Sequence, residues 1–137
     1  MDPLTLSDQT MALLSKSLDL RSTNQQVIAA NIANAETPGY APARFEFEQA
    51  LQEAVKKSTI TLTTTQPNHI SPLAPSVAEV HGTVTREPDT TGIGDQNGVS
   101  VDDEMLALSQ NQLMYETAAQ LLKKKMTMLK YAVSGGQ

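Results

Sequence analysis

Ala29-Ala30-Asn31-Ile32-Ala33-Asn34-Ala35-Glu36-Thr37-Pro38-Gly39-Tyr40 ends a long amphipathic pattern and decides how the rest of the chain is organised. Small Ala29, Ala30, Ala33 and Ala35 leave little bulk on the last turns of a helix, so another helix can approach closely. Asn31 and Asn34 add amides able to bond backbone or neighbouring side chains. Pro38 biases Thr37 away from the helical region and removes a donor, and Gly39 can take a positive φ. The chain must turn there. A lone N-x-x-N would be an ordinary helix end, but the twelve-residue run is far more specific.

Upstream of the turn, Leu4, Met11, Leu14, Leu18, Ile28 and Ile32 keep helical spacing over about Ser7 to Ala35, with Arg21 and Gln25 interrupting the seam. A second column, Leu6, Leu13, Leu20 and Val27, repeats every seven residues on a different side. Downstream, from Pro42 to Gly98, the composition shifts to Thr, Pro, Gly and Ser. Phe45, Phe47, Leu51 and Val55 predict a short helix over Glu46 to Lys57. Ile60 and Leu62 alternate like a strand, and Val80 with Val84 fits a second. Pro67 to Pro75 and Glu87 to Gly98 read as loops or partly disordered segments.

The last region carries the clearest periodicity. Val101, Met105, Leu108, Gln112, Tyr115, Ala119, Leu122, Met126, Leu129 and Val133 step by four and three, with Gln112 the polar member. Ser100 can cap this helix, Asp102, Asp103 and Glu104 suit its first turn, and Lys123, Lys124, Lys125 and Lys130 suit its end, as the dipole favours. At about 1.5 Å per residue it would span on the order of 50 Å. Met114, Leu121 and Met128 fall roughly opposite the main seam, since successive residues are about 100° apart.

The expected fold is mainly α. Two long amphipathic terminal helices, in segments 1–40 and 100–137, pair as a coiled-coil-like hairpin around a small irregular middle, 41–99, that contains short β-strands; the three segments form one structural unit. Met11, Leu14, Leu18, Ile28 and Ile32 are expected to meet Met105, Leu108, Tyr115, Leu122, Met126 and Leu129 within the chain. That leaves Leu6, Leu13, Leu20, Val27, Met114, Leu121 and Met128 as the candidate subunit interface, because exposed apolar stripes mark protein contacts. The alternative is that the middle region folds back over them.

Composition excludes several functions. The 137 residues are 39% hydrophobic but only 4% aromatic, thin for a compact core and suited to helix seams. A net charge of -5, with no basic block, gives no footing for nucleic acid. Cysteine is absent, which removes disulfides, thiolate metal sites and a Cys nucleophile. Met1 to Thr10 shows no charged-then-apolar secretory pattern, and no run of about 18 apolar residues occurs, so neither Sec-type cleavage nor membrane spanning is indicated, and a chain that leaves the cytoplasm would leave by another route. His69 and His81 lie in loop-like sequence with no partner at a predictable spacing. Asp89, Asp95, Asn97, Asp102 and Asp103 lack the ordered ligands of a calcium loop, and Gly92-Ile93-Gly94 has no following Lys. The expectation is no catalytic residue, no metal, no cofactor and no small-molecule substrate.

The Asn31, Ile32, Ala33, Asn34, Thr37, Pro38, Gly39, Tyr40 motif resembles the signature of bacterial flagellar axial proteins. Gln66-Pro67-Asn68-His69-Ile70 and Asp95-Gln96-Asn97-Gly98-Val99-Ser100-Val101-Asp102-Asp103-Glu104-Met105 extend the resemblance to the flagellar basal-body rod protein family. It is most similar to the proximal-rod branch, with the neighbouring short subunit FlgC as the alternative. The resemblance implies a non-enzymatic subunit exported by the flagellar type III apparatus and assembled in the periplasm as a helical drive shaft. Its implied partners are further copies of itself, other rod subunits, and the adaptor FliE at the membrane-ring end. From another class, a soluble helical binding module or export cochaperone would use the same apolar stripes for a single partner.

Overall fold

Helix formation at both ends follows from unbroken runs of helix-tolerant residues between clear stop signals. The computed structural model describes residues 3–59, 77–87 and 97–135, and within them the side chains of 9–56, 77–87 and 97–135. Helix α1 covers Pro3–Ala33, strand β1 Ala43–Glu46, helix α2 Glu48–Thr59, strand β2 Thr83–Arg86 and helix α3 Val101–Val133; a single 3₁₀ turn lies at Val77–Glu79. The predicted mainly helical architecture with a small β-containing middle is the one observed.

At its start, α3 carries the expected devices. The Ser100 hydroxyl accepts from the Asp103 N–H at 3.4 Å, and Asp102, Asp103 and Glu104 occupy the first turn, where the dipole favours anions. Its end is closed by Ser134 N–H donating to Lys130 O at 2.9 Å, followed by Gly135 at φ +70°.

The middle segment departs from the sequence-based expectation in detail. Phe45 belongs to β1 and pairs with Val84 in an antiparallel two-stranded sheet, so the short helix begins at Glu48 and not at Glu46. Residues 45 and 47 project to one side because a strand alternates faces, and their rings stack with centroids 5.4 Å apart. Helical spacing of Phe47, Leu51 and Val55 had absorbed Phe45 into the same pattern. Val80 precedes β2 and is buried in the core; the Ile60 and Leu62 strand expectation lies outside the described residues. Gly82 is demanded by the packing, since a Cβ there would run into the Phe45 ring.

Leu20, Phe47, Ala54 and Val80 form the apolar cluster, with Phe45, Leu51 and Val77 packed against it. Leu20 is 6% exposed. Its assignment to a subunit interface is therefore corrected: the middle segment folds back onto α1 and buries it. Leu13 also faces inward, lining a groove with Phe47 and Leu51; Val27 is half-buried, and the Leu6 side chain lies outside the described residues. Helix α1 thus lies between α3 on one side and the hairpin with α2 on the other.

The pairing face of α3 is also rotated from the predicted seam. Glu104, Asn111, Ala118 and Lys125, seven apart, form its more buried row, with Leu108, Leu122 and Leu129 half-buried beside it. Met105 and Met126, placed in the intramolecular seam by spacing, are 50% and 56% exposed, and Tyr115 is at 37%. Gln112 is exposed and donates to Glu116 at 3.1 Å. Spacing reads only apolar residues, and the true inner row contains an Asn, an Ala and two charged residues, so its centre was invisible to hydrophobic counting. On α1, Met11, Leu14, Leu18 and Ile32 are half-buried and Ile28 is buried.

Leu20→Ala should lower unfolding free energy by about 2 to 4 kcal/mol, through lost burial and a residual cavity. Leu121→Ala, on a 52% exposed side chain, should change it by less than about 0.5 kcal/mol. Urea unfolding of both full-length variants, followed by circular dichroism, checks the contrast.

Candidate functional site

Two regions are candidates for function: the junction where the two motifs meet, and the exposed flanks of α3. The junction is built around Asn31, which is 1% exposed. Its Nδ2 donates to Ala43 O at 2.8 Å and to Glu104 Oε1 at 3.0 Å; its Oδ1 accepts from Ala43 N–H at 2.9 Å and from the Tyr40 hydroxyl at 3.3 Å. An amide offers two donors and two acceptor sites, and here all four are used. One side chain joins the end of α1, the start of β1 and the first turn of α3.

Asn34, one turn later, acts locally. Its Nδ2 donates to Ala30 O at 2.8 Å, and its Oδ1 accepts from the Thr37 hydroxyl at 3.3 Å. Gly39 has φ +69°, the left-handed conformation expected at this helix end, with open space around it. The Tyr40 ring lies under the Arg86 guanidinium, 5.9 Å from its carbon. Ala29, Ala30 and Ala33 are exposed, so among the described residues no helix exploits the close approach they permit.

The second motif docks on the first through Asn97. Its Nδ2 lies 2.9 Å from Asn34 O, 2.7 Å from Ala35 O and 2.9 Å from Thr37 O, and its Oδ1 accepts from Val99 N–H at 2.8 Å. Gly98 N–H donates to Tyr40 O at 3.3 Å. Three carbonyls of the turn that follows α1 are thereby met from a segment about sixty residues away. Sequence reasoning singled out both motifs without linking them; two Asn-containing runs beside helix ends were the available signal.

One heptad from Asn31, a second polar layer holds the helix pair. Asn111, 3% exposed, donates from Nδ2 to Arg21 O at 2.9 Å, and its Oδ1 accepts from Asn24 Nδ2 at 3.2 Å and Arg21 Nη1 at 3.4 Å. The Arg21 guanidinium also sits 5.6 Å from the Phe47 ring centroid and 3.7 Å from Glu48 Oε1. The "interruption" at Arg21 is therefore a bridge from α1 to both neighbouring elements.

Among the described residues the flanks of α3 carry no such partners. Met114, Leu121 and Met128 are all more than half exposed, as are Leu106, Leu113 and Tyr131. Among the described residues no helix is long and apolar enough to cross a membrane, and no cluster of three His, Asp or Glu side chains is placed to hold a metal ion. His81 is exposed, and His69 lies outside the described residues. Exposed apolar surface of this length is of the kind that marks protein contacts.

Comparison with known proteins agrees in kind. Residues 16–40 match the flagella basal body rod protein family. The flagellar basal body rod protein FlgB of Aeromonas hydrophila is 33% identical over 132 residues, covering 95% of this chain and 96% of that protein. FlgB of Escherichia coli (strain K12) is 32% identical over 122 residues, covering 84% of this chain and 86% of that one, and FlgB of Bacillus subtilis (strain 168) is 28% identical over 134 residues, covering 98% and 100%.

Asn31→Ala should cost on the order of 2 kcal/mol or more, because it strands both the N–H and the C=O of buried Ala43. Asn34→Ala loses local bonds near solvent and should cost less than about 1 kcal/mol. Thermal unfolding of the two variants side by side distinguishes the buried hub from the local cap.

Proposed function

Since this chain belongs to the FlgB family of flagellar basal body rod proteins and is a structural subunit of the rod, we propose that it builds the rod through the flanks of α3, with α1 and the Asn31 junction holding that helix in place. The observation that carries this reading is the asymmetry of burial. α1 is covered on two sides, whereas α3 is covered on one and leaves Met114, Leu121 and Met128 in water.

Long amphipathic helices owe most of their stability to packing. A lone subunit therefore keeps a 33-residue helix only partly supported, and neighbours complete its burial. FlgB is the better family assignment than FlgC because the relatives that align over most of the chain carry the FlgB name. Partners are other copies and other rod components, as the family implies. More specifically, the subunit meets FliE at the membrane-ring end, lies in the periplasm, and travels there through the flagellar type III apparatus. It performs no catalysis. Its working chemistry is the exchange of water for apolar helix surface.

Leu121→Asp should leave export and monomer solubility intact but block rod assembly, because it would bury an unpaired carboxylate between subunits. Leu122→Asp, half-buried against α1, should damage solubility as well. Swimming assays, blots of exported protein and electron microscopy of isolated basal bodies provide the readouts. Equal loss of all properties in both variants overturns the assignment of the exposed flank. Recovery of the wild-type chain only as a one-to-one soluble complex, absent from basal bodies, overturns the rod reading and favours a binding module.

A further inference from the structure

Two faces of unlike character are left on the outside of the helix pair. On α3, Leu106, Leu113, Met114, Leu121, Met128 and Tyr131 are each more than half exposed. At about 100° per residue they fall within an arc of about 100° around the helix. On α1, Ala12, Ser15, Asp19, Ser22, Gln26 and Ala33 are exposed, and they share an arc of about 80°. One face is a row of large apolar side chains, and the other has none. Each also carries a charge in its midst. Lys124 lies about 40° from Met128 and about 20° from Tyr131, and lines a shallow groove with both. Asp19 lies about 20° from Ala12 and Gln26 and about 40° from Ser15. Among the described residues neither Lys124 nor Asp19 has an ion-pair partner.

From this we infer that the exposed stripe of α3 is covered by the outer face of α1 from a second copy of this chain, the two helices running antiparallel with Asp19 of that copy against Lys124. The inference rests on the reading of the chain as a rod subunit and adds to it the face that covers α3, the sense of the contact and its register. With Asp19 opposite Lys124, Leu113, Leu121, Met128 and Tyr131 come opposite Ala30, Ser22, Ser15 and Ala12 of the neighbour. Each large side chain then meets a small one, so the helices approach closely while apolar surface leaves water. Asp103, at the amino end of the stripe, falls opposite position 40, past the end of α1, and faces no carboxylate of that helix. The parallel sense with the same charge pair runs α3 past the start of α1 and leaves Leu106, Ala29 and Ala33 without partners.

Within the chain α1 and α3 are also antiparallel, Asn31 reaching Glu104 and Asn24 reaching Asn111. The neighbour's α1 therefore runs in the same direction as this chain's own, and successive copies keep one polarity. By the same pairing, residue 19 lies abreast of about residue 116 within the chain, so meeting Lys124 of the next copy displaces that copy by about 12 Å along the helix axis. A contact between unlike faces is heterologous, and its repetition propagates as an open helical filament. The symmetric alternative sets α3 against α3, with Lys124 of each copy on Asp103 of the other. It brings large side chains against large ones, Leu106 on Leu121 and Leu113 on Met114, and closes as a dimer that cannot continue.

The chain lacks cysteine, so introduced thiols report contacts directly. Chains carrying Ser22→Cys with Leu121→Cys replace the wild-type subunit in motile cells, and basal bodies are isolated and mildly oxidised. The expected result is a disulfide-linked ladder of two or more copies from the double variant and none from either single variant. Within one chain residue 22 lies abreast of about residue 113, about 12 Å along the helix from Leu121. That is beyond the separation of about 7 Å between Cα atoms that a disulfide spans. Ser15→Cys with Met128→Cys is the second pair, used should the first disturb folding. In parallel, D19K and K124E should each lower the number of completed rods roughly tenfold. D19K/K124E in one chain, which restores the pair with its signs exchanged, should recover them. Wild-type rod numbers from D19K, or no recovery in the double variant, overturn the inference. Absence of a ladder from both cysteine pairs in basal bodies that contain the chain overturns it too, and leaves the rod reading standing. Linkage of chains carrying Leu106→Cys with Leu121→Cys overturns it in favour of the symmetric contact. Absence of the wild-type chain from basal bodies overturns the rod reading and this inference with it.

Discussion

The structure depends on the Asn31 amide. Four hydrogen bonds leave a nearly inaccessible side chain, two to the backbone of Ala43, one to Glu104 and one from Tyr40. Each partner belongs to a different part of the chain. Because stranding a buried donor or acceptor costs more than the bond itself contributes, no partner can leave without disturbing the others. The turn at Thr37 to Gly39, the start of the hairpin and the first turn of α3 are thus fixed together, and the Asn97 amide closes the arrangement by bonding carbonyls of the turn that follows α1.

Polar contacts of this kind recur along the helix pair. Asn31 faces Glu104, and seven residues away on each helix Asn24 faces Asn111, with Arg21 reaching the same oxygen. An Asn at the centre of a helical seam weakens packing but specifies register and orientation, since only one alignment satisfies its amide. For a subunit proposed to present one flank to neighbours, a fixed register matters more than a deep core. The apolar core is correspondingly small, gathered around Leu20, Phe47, Ala54 and Val80 on the far side of α1. Phe45 stacks on Phe47 at its edge, and Gly82 leaves room for that ring.

Function follows from what this scheme leaves unfinished. The middle segment spends its few large apolar residues on α1, burying Leu20 and facing Leu13. Among the described residues nothing comparable covers the outer flanks of α3, where exposed Leu106, Leu113, Met114, Leu121, Met126, Met128 and Tyr131 run along most of its length. Such a helix is stable in the company of others.

The sequence by itself determined the two long helices, the cap at Ser100, the left-handed Gly39 and the small mixed middle, because these follow from local rules: periodicity, capping chemistry, dipole and backbone sterics. The family signature was likewise legible in residues 31 to 40. Only the tertiary structure decided which faces are covered. Leu13 and Leu20 look as free in the sequence as Met114 and Leu121, and a fold-back contact from a distant segment separates them. Met105 and Met126 looked paired and are exposed, because the inner row of α3 is centred on Asn111 and Ala118. Asn31 and Asn34 are equivalent in the motif, yet one side chain is buried among three elements and the other bonds its own helix end. Hydrophobic spacing cannot register a polar side chain whose partners lie about ninety residues away, as Asn111 has in Arg21, and such long-range pairing exists only once the chain has folded.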